Sequence, residues 1–150
     1  MADQKKIIQY LFSVVQEKWK GNTDGIAWPP PSFTSMDGEV FDFRLEEGWL
    51  RNRFPILPTQ LNPYGLMQGG FIAAAIDNTI GPLSMLVSPP NLTKTLEVQY
   101  QKAVSPNMLS IFVTAKFLEQ QSRKLLFEAT VENQEGVRLA SATSTHWILK

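Results

Sequence analysis

Gly69-Gly-Phe-Ile-Ala-Ala-Ala-Ile-Asp77-Asn-Thr-Ile-Gly81-Pro82-Leu-Ser-Met-Leu-Val87 is the stretch on which the fold turns. Its apolar residues are nearly continuous and its alanines favour helix. A helix that is apolar on most sides belongs inside a protein. The Pro82 ring should clash with the Asn78 carbonyl, so a kink or an early stop is expected there. Ser88-Pro-Pro-Asn91 completes the exit.

Working outward, both flanks read as strands. Downstream, Leu96, Val98 and Tyr100 alternate with Glu97, Gln99 and Gln101. Leu109, Ile111, Val113, Ala115 and Phe117 mark one face of a second strand, and Leu125, Phe127, Ala129 and Val131 one face of a third. Val137 to Leu149 supplies a fourth. The connections are short (Ser105-Pro-Asn107, Gln121-Ser-Arg123 and Asn133-Gln-Glu-Gly136), so pairing should be antiparallel. Upstream, Val40, Asp42 and Arg44 alternate with Phe41, Phe43 and Leu45; Glu47-Gly48 turns the chain and residues 49–56 return. The expected architecture is α+β: an antiparallel sheet wrapped around one central apolar helix.

Ile7, Ile8, Leu11, Phe12, Val15 and Trp19 recur at helical spacing, so residues 3–20 read as an amphipathic helix stopped by Gly21 and Asn22. Polar interruptions and the Gln16-Glu-Lys-Trp-Lys20 run argue against a leader peptide. Residues 21–38, with Pro29-Pro-Pro31, read as a loop. The organisation expected is a helix and proline-rich loop over 1–37 packed on a domain over 38–150.

A chain of 150 residues fits one domain. Fourteen basic and fourteen acidic residues give zero formal charge, which points away from nucleic acid and anionic membranes and makes self-association easy. No apolar run reaches the roughly 20 residues of a membrane span. The absence of cysteine excludes disulfides, thiolate metal sites and a cysteine nucleophile, and fits a reducing cytoplasmic setting. No His, Asp and Glu spacing suggests a metal.

Asp77 is the anomaly in the apolar helix. A buried carboxylate is costly unless partnered, or its pKa rises; alternatively it sits on an exposed edge or bonds a neighbouring loop. Gly69 and Gly70 stand at the helix start, where the first amides lack partners and carry partial positive charge. Such amides suit an oxyanion, although a plain turn before a helix uses the same residues. Asp77 lies eight residues after Gly69, roughly 12 Å along a helix. That is too far for both to touch one carbonyl at about 3 Å. If both act, the carboxylate should meet the helix start of a second copy, and a two-fold axis would create two such sites. His146, the single histidine, lies on a strand face with Ala140, Ala142 and Ser144 and reads as structural.

The run Asn62-Pro-Tyr-Gly65-Leu-Met-Gln68-Gly69-Gly70-Phe71, continued to Asp77, resembles the signature of the hot-dog acyl-CoA thioesterases related to the phenylacetate-pathway enzyme. That pattern is Asn, Gly, then His-Gly-Gly and an alanine-rich helix bearing an acid. The spacings match, six from Asn62 to position 68 and nine on to Asp77. Thr95-Leu-Glu-Val-Gln-Tyr100, Leu125-Leu-Phe-Glu-Ala-Thr-Val131 and Gly136-Val-Arg-Leu-Ala140 resemble the strands that follow. The likeness covers about residues 38–149.

The resemblance implies a hot-dog fold and hydrolysis of an acyl-CoA thioester, with coenzyme A as part of the substrate and no separate cofactor. Asp77 would be general base or nucleophile, the Gly69 amide of the opposite subunit would hold the carbonyl oxygen, Asn62 would position thioester or water, and Thr95 would orient Asp77 or the water. It also implies a homodimer or a dimer of dimers. Gly70 and Phe71 are expected at the substrate, with Arg123 and Lys124 among the basic residues for its phosphates. One residue departs from the pattern: Gln68 stands at the histidine position. Its amide donates a hydrogen bond but does not titrate near neutrality. The alternative function is therefore a non-catalytic binder of acyl thioesters; a hot-dog hydratase, which pairs a histidine with the acid, ranks last.

Overall fold

The computed structural model describes residues 3–150. Helix α1 (Gln4–Lys18) is capped by the Asp3 carboxylate, which accepts from the Lys5 amide. It closes through Lys20 in the left-handed region, with the Gly21 amide donating to Gln16 at 2.8 Å. The proline-rich stretch is not all loop: Pro31 opens a short helix α2 (Pro31–Ser35). Proline suits a first helical position, where its missing N–H would lack a partner anyway.

Strands β1 (Glu39–Arg44) and β2 (Trp49–Pro55) form a hairpin. Helix α3 (Gly69–Val87) then crosses to β3 (Asn91–Tyr100), followed by β4 (Ser110–Gln121), β5 (Lys124–Glu132) and β6 (Arg138–Ile148). All six strands join one antiparallel sheet in the order β1-β2-β4-β5-β6-β3. The strand that follows α3 thus closes the far edge, and its outer side is unpaired. Leu109, expected on the inner face of a strand, instead takes φ +68° just before β4 and is exposed.

The inner face supplies Leu50, Phe54, Ile111, Val113, Ala115, Leu125, Phe127, Ala129 and Val131, all buried against α3 residues Ile72, Ala75, Ile76, Ile80 and Leu83. Leu11, Val15, Trp19, Phe33 and Met36 of the N-terminal segment join the same core. By length and composition α3 alone among the described helices could cross a membrane, and here the sheet wraps it.

Helix α3 runs unbroken past Pro82, so of the kink or early stop expected there the stop does not occur. Proline at 82 leaves the Asn78 carbonyl without its helical donor. Buried Asn52 on β2 supplies one, its Nδ2 standing 3.3 Å from that oxygen and 3.3 Å from Thr79 Oγ1. Ser32 of α2 donates to Asn78 Oδ1 at 2.8 Å. The strained turn is held by side chains from two other elements.

Candidate active site

The sheet, α1 and α2 cover most of α3 and leave one stripe open. Gly70, Ala74, Asp77, Gly81 and Met85 succeed one another along it at helical spacing, none of them buried. A Cβ at Gly70 or Gly81 would meet nothing within 4 Å. Asp77 is the one ionisable group on this stripe. Of the positions the apolar run left open for it, the isolated chain shows the exposed edge and not the buried one. Among the described residues it makes no ion pair and accepts no hydrogen bond. Its apolar surroundings still desolvate the carboxylate enough to raise its pKa above 3.8.

The start of α3 is the second half of the site. Gln68 is the N-cap, with extended backbone, and its carbonyl accepts from the Phe71 and Ile72 amides at 2.9 and 3.3 Å. Its side chain caps nothing. The Gly69 and Gly70 amides have no acceptor among the described residues, so two donors remain at the positive end of the dipole.

Asn62 builds the approach to these donors. Its Oδ1 accepts from the Tyr64 and Leu66 amides at 2.9 and 3.1 Å, and its own amide donates to Leu66 at 2.7 Å. Gly65, at φ +75°, completes this tight loop. Two backbone bonds then seat it: Met67 donates to Val104 and Gln68 to Gln60, each at 2.8 Å. Asn62 Oδ1 is fully engaged, and Nδ2 is its remaining donor. A cavity of about 270 Å³ opens here, lined by Asn62, Gly69, Ile72, Tyr100 and Lys102.

The remaining expected residues lie elsewhere in the chain. Thr95 pairs across strands with Thr145, hydroxyl to hydroxyl at 2.6 Å. Thr145 alternates with buried Ser144 and His146, so this pair faces away from α3. A register shift between Thr93 and Thr95 places Lys94 as an extra residue and decides which threonine points inward. Arg123 directs Nε and Nη2 at the Ile148 carbonyl, 3.0 and 2.8 Å away, and lies over the Trp147 ring. Arg123 and Lys124 flank the start of β3, whereas Gly69 contacts its end at Tyr100. Ten residues of strand put these roughly 30 Å apart in one chain. Phe71 is partly exposed beside Gly70 at the helix start.

Sequence reasoning assigned no role to Tyr100, whose hydroxyl donates to the Gly69 carbonyl at 2.7 Å. The alternation of β3 put it on the inner face; its partner comes from a loop-to-helix junction that no local pattern encodes. His146 is 2% exposed, with Nδ1 2.8 Å from Asn91 Oδ1 and its ring edge-on to Phe127. Burial lowers its pKa to about 4.

The sheet order and the helix it encloses define the hot-dog class of folds. No family model matches the sequence, and no curated protein matches it. Solved structures do. A phenylacetic acid degradation-related protein from Ralstonia eutropha aligns over 87% of this chain and 99% of its own at TM-score 0.73 and 21% identity. A hypothetical thioesterase from Streptococcus pneumoniae with coenzyme A aligns over 79% and 91% at 0.71 and 20% identity. A Streptococcus mutans protein bound to acetyl CoA aligns over 75% and 88% at 0.68 and 21% identity. This chain therefore has the same fold as these proteins.

Proposed function

We propose that the protein hydrolyses an acyl-CoA thioester in a groove shared by two copies, with Asp77 as general base or nucleophile and the Gly69 amide as oxyanion donor. One observation carries this reading. A lone carboxylate on the open stripe of α3 and two unpaired amides at the start of the same helix lie roughly 12 Å apart. A reaction needing both at about 3 Å from one carbonyl takes them from different chains. An antiparallel second copy brings Asp77 to the partner's helix start. Glycine at 70 and 81 and alanine at 74 let two helices approach closely. The same two-fold axis returns Arg123 and Lys124 of one copy toward the other's site, where coenzyme A phosphates would lie. Asn62 and Gln68 supply amide donors at the helix start. The coenzyme A and acetyl CoA held by the structural neighbours support the substrate class.

The acid must be ionised to act, and its raised pKa brings it nearer to the pH range in which a carboxylate is an effective base. Hydrolysis of an acyl-CoA panel, followed by thiol release, tests the proposal. Wild type should turn over at least one member, and Asp77→Asn should not. Equal rates in both remove Asp77 from the mechanism.

The Gln68 side chain, which does not titrate and caps nothing, favours one second reading, a binder of acyl thioesters that no longer cleaves them. Saturable binding of acyl-CoA to wild type without thiol release would select it.

A further inference from the structure

Two adjacent glycines make a poor helix start, because each has wide conformational freedom to lose. The usual ties are missing here as well. Gln68 caps no amide with its side chain, and the first turn holds no acid. What anchors this turn from outside the helix is Tyr100, at the end of β3. Its hydroxyl donates to the Gly69 carbonyl at 2.7 Å. Its ring lies so close that a Cβ on residue 69 would stand 3.2 Å from Cζ and 3.3 Å from the hydroxyl oxygen. Glycine at 69 thus makes room for the tyrosine, and the tyrosine holds the glycine.

We infer that Tyr100 is a positioning residue that completes the pair of free amides at the start of α3 by aiming the Gly70 N–H. This rests on the hydrolase reading above. The Gly69 carbonyl and the Gly70 N–H belong to one planar peptide, so fixing the oxygen fixes the direction of that N–H. Gln68 accepts from Phe71 and Ile72 on the other side of Gly69. The Gly69 N–H shares its peptide with that Gln68 carbonyl and is already fixed by these bonds, so what Tyr100 adds is the direction of the second donor, the Gly70 N–H. Donors for an oxyanion act through such preorganisation. Tyr100 is 52% exposed and borders the cavity, so its contribution comes through this bond and not through core packing.

Tyr100→Phe keeps the ring and removes the donor. The expected result is a kcat about tenfold lower with KM within about twofold of wild type, since the lost interaction belongs to the transition state. Hydrogen exchange at the Ile72 and Ala73 amides, read by NMR, should quicken about tenfold as the first turn loosens. Unchanged kcat in an active enzyme overturns the inference, as does a loss confined to KM, which would make Tyr100 a substrate contact. Unchanged exchange overturns it whatever the kinetics. Wild type without turnover would instead remove the hydrolase reading and the catalytic purpose with it, and exchange would then decide only whether the tether exists.

Discussion

The two sides of α3 are built by opposite rules. Its covered side carries a helix-breaking proline, and the carbonyl that this proline strands finds a donor: Asn52 donates to the Asn78 oxygen, while Ser32 donates to the Asn78 side chain and α1 and α2 seal the surface. Its open side carries Asp77 without a partner, two amides without acceptors, and small residues that fill nothing. The covered side still holds Asn52 Oδ1 and Ser88 Oγ without partners, so what sets the open side apart is that its groups are accessible to something outside the chain. Changes on the open side should therefore alter chemistry and leave stability alone, and changes on the covered side should do the reverse.

The largest effect is expected from Asp77→Asn. Loss of the base should lower kcat about 1000-fold, about 4 kcal/mol of barrier, with the urea midpoint near neutral pH no lower than that of wild type, because a carboxylate with a raised pKa costs stability when ionised. The rate of wild type should rise with pH as the carboxylate ionises, through a pKa above 3.8, and the residual rate of the variant should lose that limb. A variant that loses stability in step with activity would contradict the division between the two sides.

A buried group provides the next test. His146 has a folded pKa of about 4 against 6.5 when free. The unfolded chain therefore binds the proton more readily between these values, and stability must fall as pH falls from 6.5 toward 4. The full difference is worth about 3 kcal/mol. Urea unfolding at pH 7.0 and about pH 4.5 should show most of this loss in wild type and little of it in His146→Gln. Asp77, whose pKa is raised, contributes with the opposite sign in part of the same range, so the histidine effect is read as the difference between wild type and His146→Gln.

How much of this was legible beforehand follows the range of the interactions. Period-two alternation in β4 to β6 and the alanine-rich run of α3 are local, and both predicted the elements found. The continuation of α3 past Pro82 was not legible, because its remedy comes from Asn52, thirty residues earlier. The outward facing of Thr95 was legible in the alternation that turns Leu96 and Val98 inward; what was hidden is the one-residue bulge at Lys94, which turns Thr93 to the inner face beside His146. Arg123 read as a free cation, yet a carbonyl of the last strand engages it. Whether Asp77 was buried or on an exposed edge stayed open, because periodicity cannot tell a face covered by the chain itself from one left for another molecule.

Asn52 is the place to break the covered side. Asn52→Leu should cost about 2 kcal/mol in urea unfolding, since it strands the Asn78 carbonyl in the core. The cost should shrink in a Pro82→Ala background, where residue 82 regains the N–H that the carbonyl needs. Equal costs in both backgrounds would mean that Asn52 stabilises the fold for another reason. Neither change should alter kcat at temperatures where the protein stays folded.

The smallest effect is expected at Gln68, the residue that stands where the resembling enzymes have histidine. It lies on the open side, so Gln68→Ala should leave the urea midpoint in place. If its amide donates to the thioester carbonyl, kcat should fall about tenfold, equal to about 1.4 kcal/mol. Gln68→His restores a group that both donates and titrates. A rise in kcat with a new dependence on pH near 6.5 would show that proton exchange at this position is what the natural residue lacks. A rate unchanged in both variants would place all the polarising power in the Gly69 and Gly70 amides, and would make the aim of the Gly70 amide by Tyr100 the main determinant of rate after Asp77 itself.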